Sequence, residues 1–516
     1  MGTLDQISII LADRAPVLAS IFVIFAGVLL ATQLLDSDAS SIPLLGREYG
    51  YARKRRKAFI KNGLDFYQKG YEMFKNKAYR LTSIDGERIV LPRSLMEEMK
   101  QLPDDIIDVH EAINISNEHK YIDLGSRKLS EFFVHVIKCD LTRSLGRINP
   151  RLMAEVARAV ADELPPCEDW TPAVVYPTIL RIVALTSGSI FVGSDLYRSE
   201  EYLHASMNYT MAFFNAIKKL KQWSPWTRWI GRYFTPEVDH LYAERKKAHD
   251  FLLPIIRQRR EAMKVGKESP DDALQWMLNK VDEFGLSDDT LAEAQLNLSM
   301  VSIHTTTLTI TLILYDLVVR QNVIAELRDE IKTVLAKENG VMSTHALFEM
   351  KLLDSVMKES QRMNPGNLTR FQRWTAKPVT LSDGTRLPAG YMIETPHAVA
   401  MQDPNLFSNP EQWDAHRFLD LRNGTSKDLL GYRNKEQYQF VTVTKDFMHF
   451  GYGRHACPGR FFAAHVIKII LADILLKYDM KMPDGVTERY PNLVMGLDSL
   501  PDPTKEIVFK KIENSV

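Results

Sequence analysis

The stretch FGYGRHACPGRFFA, Phe450 to Ala463, sets one of the chain's three cysteines among glycines, basic residues and a proline. Gly451 and Gly453 let a loop turn tightly and bring backbone amides toward the sulfur of Cys457. Pro458 and Gly459 then lead into an apolar helical run, FFAAHVIKIILADILLK. A sulfur at a helix N-terminus near Arg454 and His455 is stabilised as the thiolate. Such a group can act as nucleophile, redox sensor or metal ligand, or it can be buried and inert; residue types alone leave these open. A second candidate lies upstream in KLLDSVMKESQRMNP, where Glu359 and Arg362 stand three apart on one helix face. A third is SIHTTTLTIT, Ser302 to Thr311, with five threonines and a histidine in ten residues. Threonine is a poor helix former with a hydroxyl to satisfy, so either those hydroxyls bond back to the preceding turn or some of them face a site.

These groups need elements to hold them. SDDT at Ser287 offers a serine cap with aspartates in the first turn. From Leu291 no Gly or Pro interrupts the pattern until about Gln321, so the threonine run sits inside one long helix. Most of the span from Gly46 to Gln361 reads as helices with polar loops. Strand signals come later: KPVTLSDGTRLPAGYMI, Lys377 to Ile393, alternates around an Asp-Gly turn as a hairpin does, and a further pair is suggested by VMGLDSLPDPTKEIVFKKI near the end. The fold class is mainly α with a minor β component.

The totals narrow the function classes. With 516 residues, 65 basic against 65 acidic, and 45% hydrophobic content, the chain is globular and not a bulk nucleic-acid binder. Cys139, Cys167 and Cys457 make neither a disulfide framework nor a zinc pair. Ala15 to Leu35, APVLASIFVIFAGVLLATQLL, carries no charge and is long enough as a helix to span roughly 30 Å. The RKRRK cluster, Arg53 to Lys57, follows it, and by the positive-inside tendency that side stays cytoplasmic. The segments are therefore read as a lumenal N-terminus (1–14), a transmembrane anchor (15–35), a linker with a basic cluster (36–57) and one large domain (58–516).

The cysteine stretch closely resembles the haem-binding loop of the cytochrome P-450 superfamily, F-x-x-G-x-[basic]-x-C-x-G. Phe450, Gly453, His455, Cys457 and Gly459 stand in its marked places. The same superfamily carries an E-x-x-R pair upstream, matched by Glu359 and Arg362. Between them, PEQWDAHRF (Pro410 to Phe418) is similar to its P-E-R-F segment, which offers Arg417 as a third member of the network. VSIHTT, Val301 to Thr306, is the nearest match to the pattern [AG]-G-x-[DE]-T-[TS] of a kinked helix over the iron. Two departures stand out: His304 replaces the acid and Ser302 the glycine. The W-x-x-x-R of the superfamily is not evident, and Arg143 is a candidate without its tryptophan. HTTT, DAHRF and GYGRHACPGRFFA look most like fungal secondary-metabolism members of the ent-kaurene oxidase and gibberellin-pathway type.

What the resemblance implies is a cytochrome P-450 fold behind one N-terminal transmembrane helix, with haem b held by Cys457 as axial thiolate. His455 would neutralise a propionate, Phe450 would pack near the sulfur side, and Thr305 would support oxygen activation. His304 would relay protons or fill space. Glu359, Arg362 and Arg417 would form a buried structural network. The activity implied is monooxygenation of an apolar small molecule, a terpenoid, meroterpenoid or polyketide derivative. Electrons would come from a separate NADPH-cytochrome P-450 reductase, with cytochrome b5 as a further donor, at the endoplasmic reticulum membrane with the catalytic domain in the cytosol. The alternative is a haem-thiolate isomerase or dehydratase that rearranges a peroxide without a reductase.

Overall fold

The computed structural model describes residues 39, 41–123, 125–194 and 196–513, and parts of 15–27. Those between 15 and 27 are helical and exposed; most of the expected anchor and the 1–14 terminus lie outside the described residues. Helix α1 (Ala52–Phe74) lays Phe59, Phe66 and Tyr67 against strand β1 (Tyr79–Ser83). β1 pairs with β2 (Gly86–Val90) across the Ile84–Asp85 turn, which Gly86 leaves at φ +126°. The sequence reading placed helices and loops here; the Asp-Gly pair in SIDGERIV was the available strand signal. With β3 (Ile107–Asp108), these strands belong to a five-stranded sheet described below.

Helices α2 (Val175–Phe191), α3 (Glu200–Leu220) and α4 (Pro236–Lys264) surround α5 (Asp288–Leu317): α3 and α4 pack along each other and on α5, which also packs on α2. Ser287 caps α5 by accepting from the Thr290 amide at 3.2 Å, with Asp288 and Asp289 beside it where the helix end is positive. Its 30 residues extend about 45 Å. It stops at Leu317, short of the predicted end, because Arg320 leaves helical geometry (φ −132°, ψ 68°) and turns its guanidinium back to the Asp316 carbonyl. Among the described residues α5 alone is long and apolar enough to cross a membrane, but 67% of its most apolar window is buried in protein. It is a core helix.

Helix α6 (Lys351–Met363) leads into β4 (Arg370–Thr375), and β5 (Met392–Thr395) completes the sheet in the order β1–β2–β5–β4–β3. β2 and β5 run parallel and the other neighbours antiparallel. The expected hairpin after β4 forms, with Val379–Thr380 against Arg386–Leu387. Near the end, Leu493–Met495 pairs with Asp498–Leu500 and lies so close to α1 that a Cβ on Gly63 would fall 2.0 Å from the Gly496 carbonyl oxygen. Helix α7 (Arg460–Lys477) follows the cysteine loop and packs on α5.

One network ties α6 to the segment ahead of that loop. The Glu359 carboxylate accepts from Nε and Nη2 of Arg362, both at 2.8 Å, and both its oxygens lie 3.1 Å from Nε of Arg417. The guanidiniums spend their remaining donors on backbone: Arg362 on the carbonyls of Met401 and Pro410, each at 2.7 Å, and Arg417 on those of Ser408, Asn409 and Gln412. Glu359 and Arg362 are fully buried. Two planar forks around one carboxylate satisfy a desolvated charge that a single cation would leave half-paired. Glu359→Ala therefore leaves two buried guanidiniums without their counter-charge. It is expected to lower folding stability by about 3–5 kcal/mol, as removal of one partner from a buried ion pair does, read as a shift in urea midpoint. A loss below about 1 kcal/mol, the range of exposed pairs, would show that the burial carries no such penalty.

Candidate haem site

The cysteine loop is shaped by its own backbone. Cys457 N–H donates to the Phe450 carbonyl at 2.7 Å, Ala456 to Gly453 at 3.1 Å and Gly451 to Met448 at 2.8 Å. Gly451 and Gly453 sit at φ +79° and +73°, a region that favours glycine, and a Cβ on Gly451 would press on the Ala456 Cα and His455 carbonyl at 3.4 Å. Phe450 anchors the start edge-on against Phe440, ring centroids 5.3 Å apart. Arg460, the first residue of α7, returns Nη1 to the Cys457 carbonyl at 2.8 Å.

The electrostatics at the sulfur differ from the sequence expectation. Burial pushes the Cys457 thiol up, and the amides of Gly459 and Arg460, with the Arg460 charge, pull it only partly back. Arg454 and His455 do not serve the sulfur: both turn to Asp104, His455 Nε2 at 2.8 Å and Arg454 Nη2 at 2.9 Å from the same oxygen. As a free thiol this group is a poor nucleophile and a poor redox sensor. A directly bonded metal cation would ionise it outright.

Two residues of β4 carry the opposite problem. Arg370 and Arg373 are pushed down by burial to about 10. Each donates to the backbone carbonyl just before it, Arg370 to Thr369 at 3.0 Å and Arg373 to Gln372 at 2.8 Å. Arg370 Nε has no partner, and no ion pair holds either guanidinium among the described residues. A buried cation without an anion is costly. Arg373 and His455 share one niche with Phe371, Asp104 and Tyr452. A haem b group, with a cationic metal for sulfur and carboxylates for guanidinium and imidazole, fits this donor set. The sequence reading missed both arginines, whose signal was a pair of cations within the apolar alternation of RFQRWT. Arg143, the propionate candidate it did offer, is exposed.

Thr305 stands on a different wall. Its hydroxyl donates to the Val301 carbonyl at 2.7 Å, and its own carbonyl accepts from Thr309 at 2.9 Å. Thr307 bonds back to Ile303 in the same way and is fully buried. The threonine run therefore divides: Thr306, Thr307 and Thr311 are core, while Val301 and Thr305, one turn apart, are exposed. No hydrogen bond joins Thr305 to the cysteine loop among the described residues. His304 lies on the buried side, Nδ1 3.3 Å from the Tyr176 hydroxyl on α2 and Nε2 3.4 Å from the Met207 carbonyl on α3. Burial lowers its pKa. A neutral ring donating from Nε2 to Met207 can accept from Tyr176 at Nδ1, so both nitrogens serve neighbouring helices.

The comparisons with known proteins agree with the fit. The Cytochrome P450 family model matches residues 145–507. The chain is 35% identical over 493 residues to the cytochrome P450 monooxygenase braC of Annulohypoxylon truncatum, covering 95% of this chain and 96% of that one. It is 33% identical to the cytochrome P450 monooxygenase AN1598 of Emericella nidulans over 94% of this chain and 90% of the relative. Among solved structures, a retinoic acid-bound cyanobacterial CYP120A1 superposes with a TM-score of 0.66 at 16% identity, over 89% of this chain and 96% of that one, which speaks to the fold alone. With a family model over most of its length and such relatives end to end, the chain belongs to the cytochrome P450 family: it is an oxygen-incorporating oxidoreductase, a monooxygenase, whose cofactor is haem b.

Proposed function

We propose that this monooxygenase is membrane-anchored and hydroxylates, or oxidises further, an apolar secondary metabolite of terpenoid, meroterpenoid or polyketide origin. Its electrons come from NADPH through a separate reductase, with cytochrome b5 as a further donor. The observation that carries the haem-thiolate reading is the half-buried Cys457 sulfur at the start of α7, in a loop folded by the Cys457 N–H to Phe450 carbonyl bond and with the amides of Gly459 and Arg460 turned to the sulfur. When bound, haem b supplies the oxygen activation needed to attack an unactivated C–H bond.

The chain's own residues do the rest. Cys457 would hold the haem iron through its sulfur, with the amides of Gly459 and Arg460 tempering its basicity. Phe450 holds the loop against the core. Arg370, Arg373 and His455 take the carboxylates. On α5, Thr305 presents a hydroxyl on an exposed stripe, and turning Oγ1 away from the Val301 carbonyl lets it hold a proton where oxygen is activated. His304 acts on that stripe by fixing α5 between α2 and α3. Val301 and the half-buried Leu308 add apolar surface there, suited to a substrate that carries little polarity.

The localisation rests on one face. Trp226, Trp229, Tyr233 and Phe234 are 73%, 60%, 78% and 68% exposed in the connection from α3 to α4, a loop that includes the helical turn Arg228–Gly231 and the 3-10 turn Arg232–Phe234. Arg56 of the basic cluster donates to the Lys221 carbonyl at 2.7 Å beside that loop, and the Gly496 amide donates to the Ile60 carbonyl at 3.1 Å. The start of α1, the aromatic loop and the exposed Leu493–Met495 hairpin are thus neighbours. Tryptophan and tyrosine with flanking cations suit a membrane interface, here that of the endoplasmic reticulum with the body in the cytosol.

Three outcomes check this. Cys457→Ser is expected to purify without the strongly red-shifted Soret band of the ferrous carbonyl complex; a variant that keeps the band excludes Cys457 as ligand. In Thr305→Ala, reductant consumption should continue while product falls and hydrogen peroxide leaks, and unchanged coupling would reduce the threonine to packing. In sealed microsomes containing the full chain, protease added outside should digest the body while it stays with the membrane pellet until then. Protection of the body would reverse the orientation.

A further inference from the structure

Asp104 lies far from the cysteine loop in sequence yet grips both of its basic residues. One oxygen, Oδ1, is 2.8 Å from His455 Nε2 and 3.1 and 2.9 Å from Nε and Nη2 of Arg454. Arg454 also donates to the Leu102 carbonyl, and its Nε lies 3.3 Å from His455 Nε2, farther than the Asp104 oxygen. The Leu102–Asp105 turn is itself held on both sides. Lys377 pairs with Asp105 at 2.6 Å, and Ile107 and Asp108 pair with Thr375 and Trp374 of β4, the strand that carries Arg373. Behind the loop, Gly453 backs onto Lys100, whose Nζ lies 3.0 Å from the Tyr452 hydroxyl. The turn therefore has a fixed place relative to both β4 and the cysteine loop.

We propose that Asp104 is a positioning residue for haem retention. By taking Nε2 of His455 it fixes the imidazole and leaves Nδ1 as the ring nitrogen that meets the carboxylate edge of haem b. By taking Arg454 it keeps that guanidinium from competing for the same place. The inference rests on the reading of His455 as a haem contact and adds the residue through which that contact is set. An ordinary surface ion pair is the competing account, since the Arg454 and Asp104 side chains are 45% and 37% exposed. Such pairs contribute little and would leave haem binding unmoved.

The test is haem loss from the ferric holoenzyme to excess apomyoglobin. Asp104→Ala should accelerate loss about tenfold, the scale of one charge-assisted hydrogen bond, and Asp104→Glu, which keeps the carboxylate, should recover most of it. Asp484→Ala, which removes a fully exposed carboxylate paired with Lys481, should leave the rate as it was. In a His455→Ala background the Asp104→Ala effect should disappear, because the carboxylate would have lost the ring it positions. Asp104→Asn serves in the same cycle if the alanine variant does not fold. Wild-type loss from Asp104→Ala beside fast loss from His455→Ala overturns the proposal and spares the His455 reading. Full additivity in the double variant also overturns it. If His455→Ala alone loses haem no faster than wild type, the underlying contact is the part that fails.

Discussion

Charge buried without its complement organises this molecule. Water stabilises an exposed ion at no structural cost, whereas an ion inside protein needs a partner at a set distance. Glu359 meets that requirement within the chain. Two guanidiniums converge on it, and their spare donors reach backbone carbonyls of the 401–412 segment. The carboxylate on α6 and the chain leading to the cysteine loop are thereby fixed together. A second tie backs this node: the Ser355 hydroxyl on α6 donates to the Ala415 carbonyl at 2.6 Å.

Helix α5 solves a milder version of the same problem. Each threonine hydroxyl inside it needs an acceptor, and for Thr305, Thr307 and Thr309 that acceptor is the carbonyl one turn back. Back-bonding satisfies the hydroxyl without any tertiary partner, so the run can pass from core to exposed stripe with no break in the helix. The two readings of the cluster, local satisfaction and a site-facing hydroxyl, are compatible. Thr305 does the first, and its exposed position leaves room for the second.

How much could be read beforehand followed the range of the interactions. The cysteine loop is local, its glycines, amides and helix start all within ten residues, so its spacing was informative. The Glu359, Arg362 and Arg417 triad was legible because its segments match a family pattern, although its geometry spans the 58 positions between Glu359 and Arg417. The Asp104 contact joins residues 351 positions apart, and no local pattern marks it. Arg370 and Arg373 were missed for another reason: an arginine in a strand usually points to solvent, and only the packed sheet shows that Arg373 is buried and Arg370 half-buried. Arg454 and His455 were assigned to the sulfur because sequence gives nearness along the chain but not direction. The early hairpin at Asp85–Gly86 was overlooked beneath a strong helical background.

The two halves of the site are each destabilised in the protein alone, and in opposite senses. At Cys457 burial favours the neutral thiol, and a directly bonded cation favours the anion. At Arg370 and Arg373 burial disfavours the cation, and although at about 10 both stay charged at neutral pH, each gains from an anion brought beside it. Two separate ions could answer these demands singly, but a metal held in a flat macrocycle with carboxylates on its rim answers both with one rigid group. Its retention then depends on both ends at once: weakening the carboxylate edge should be felt as loss of the whole group, metal included. Asp104, which touches neither sulfur nor metal, acquires its importance by this coupling.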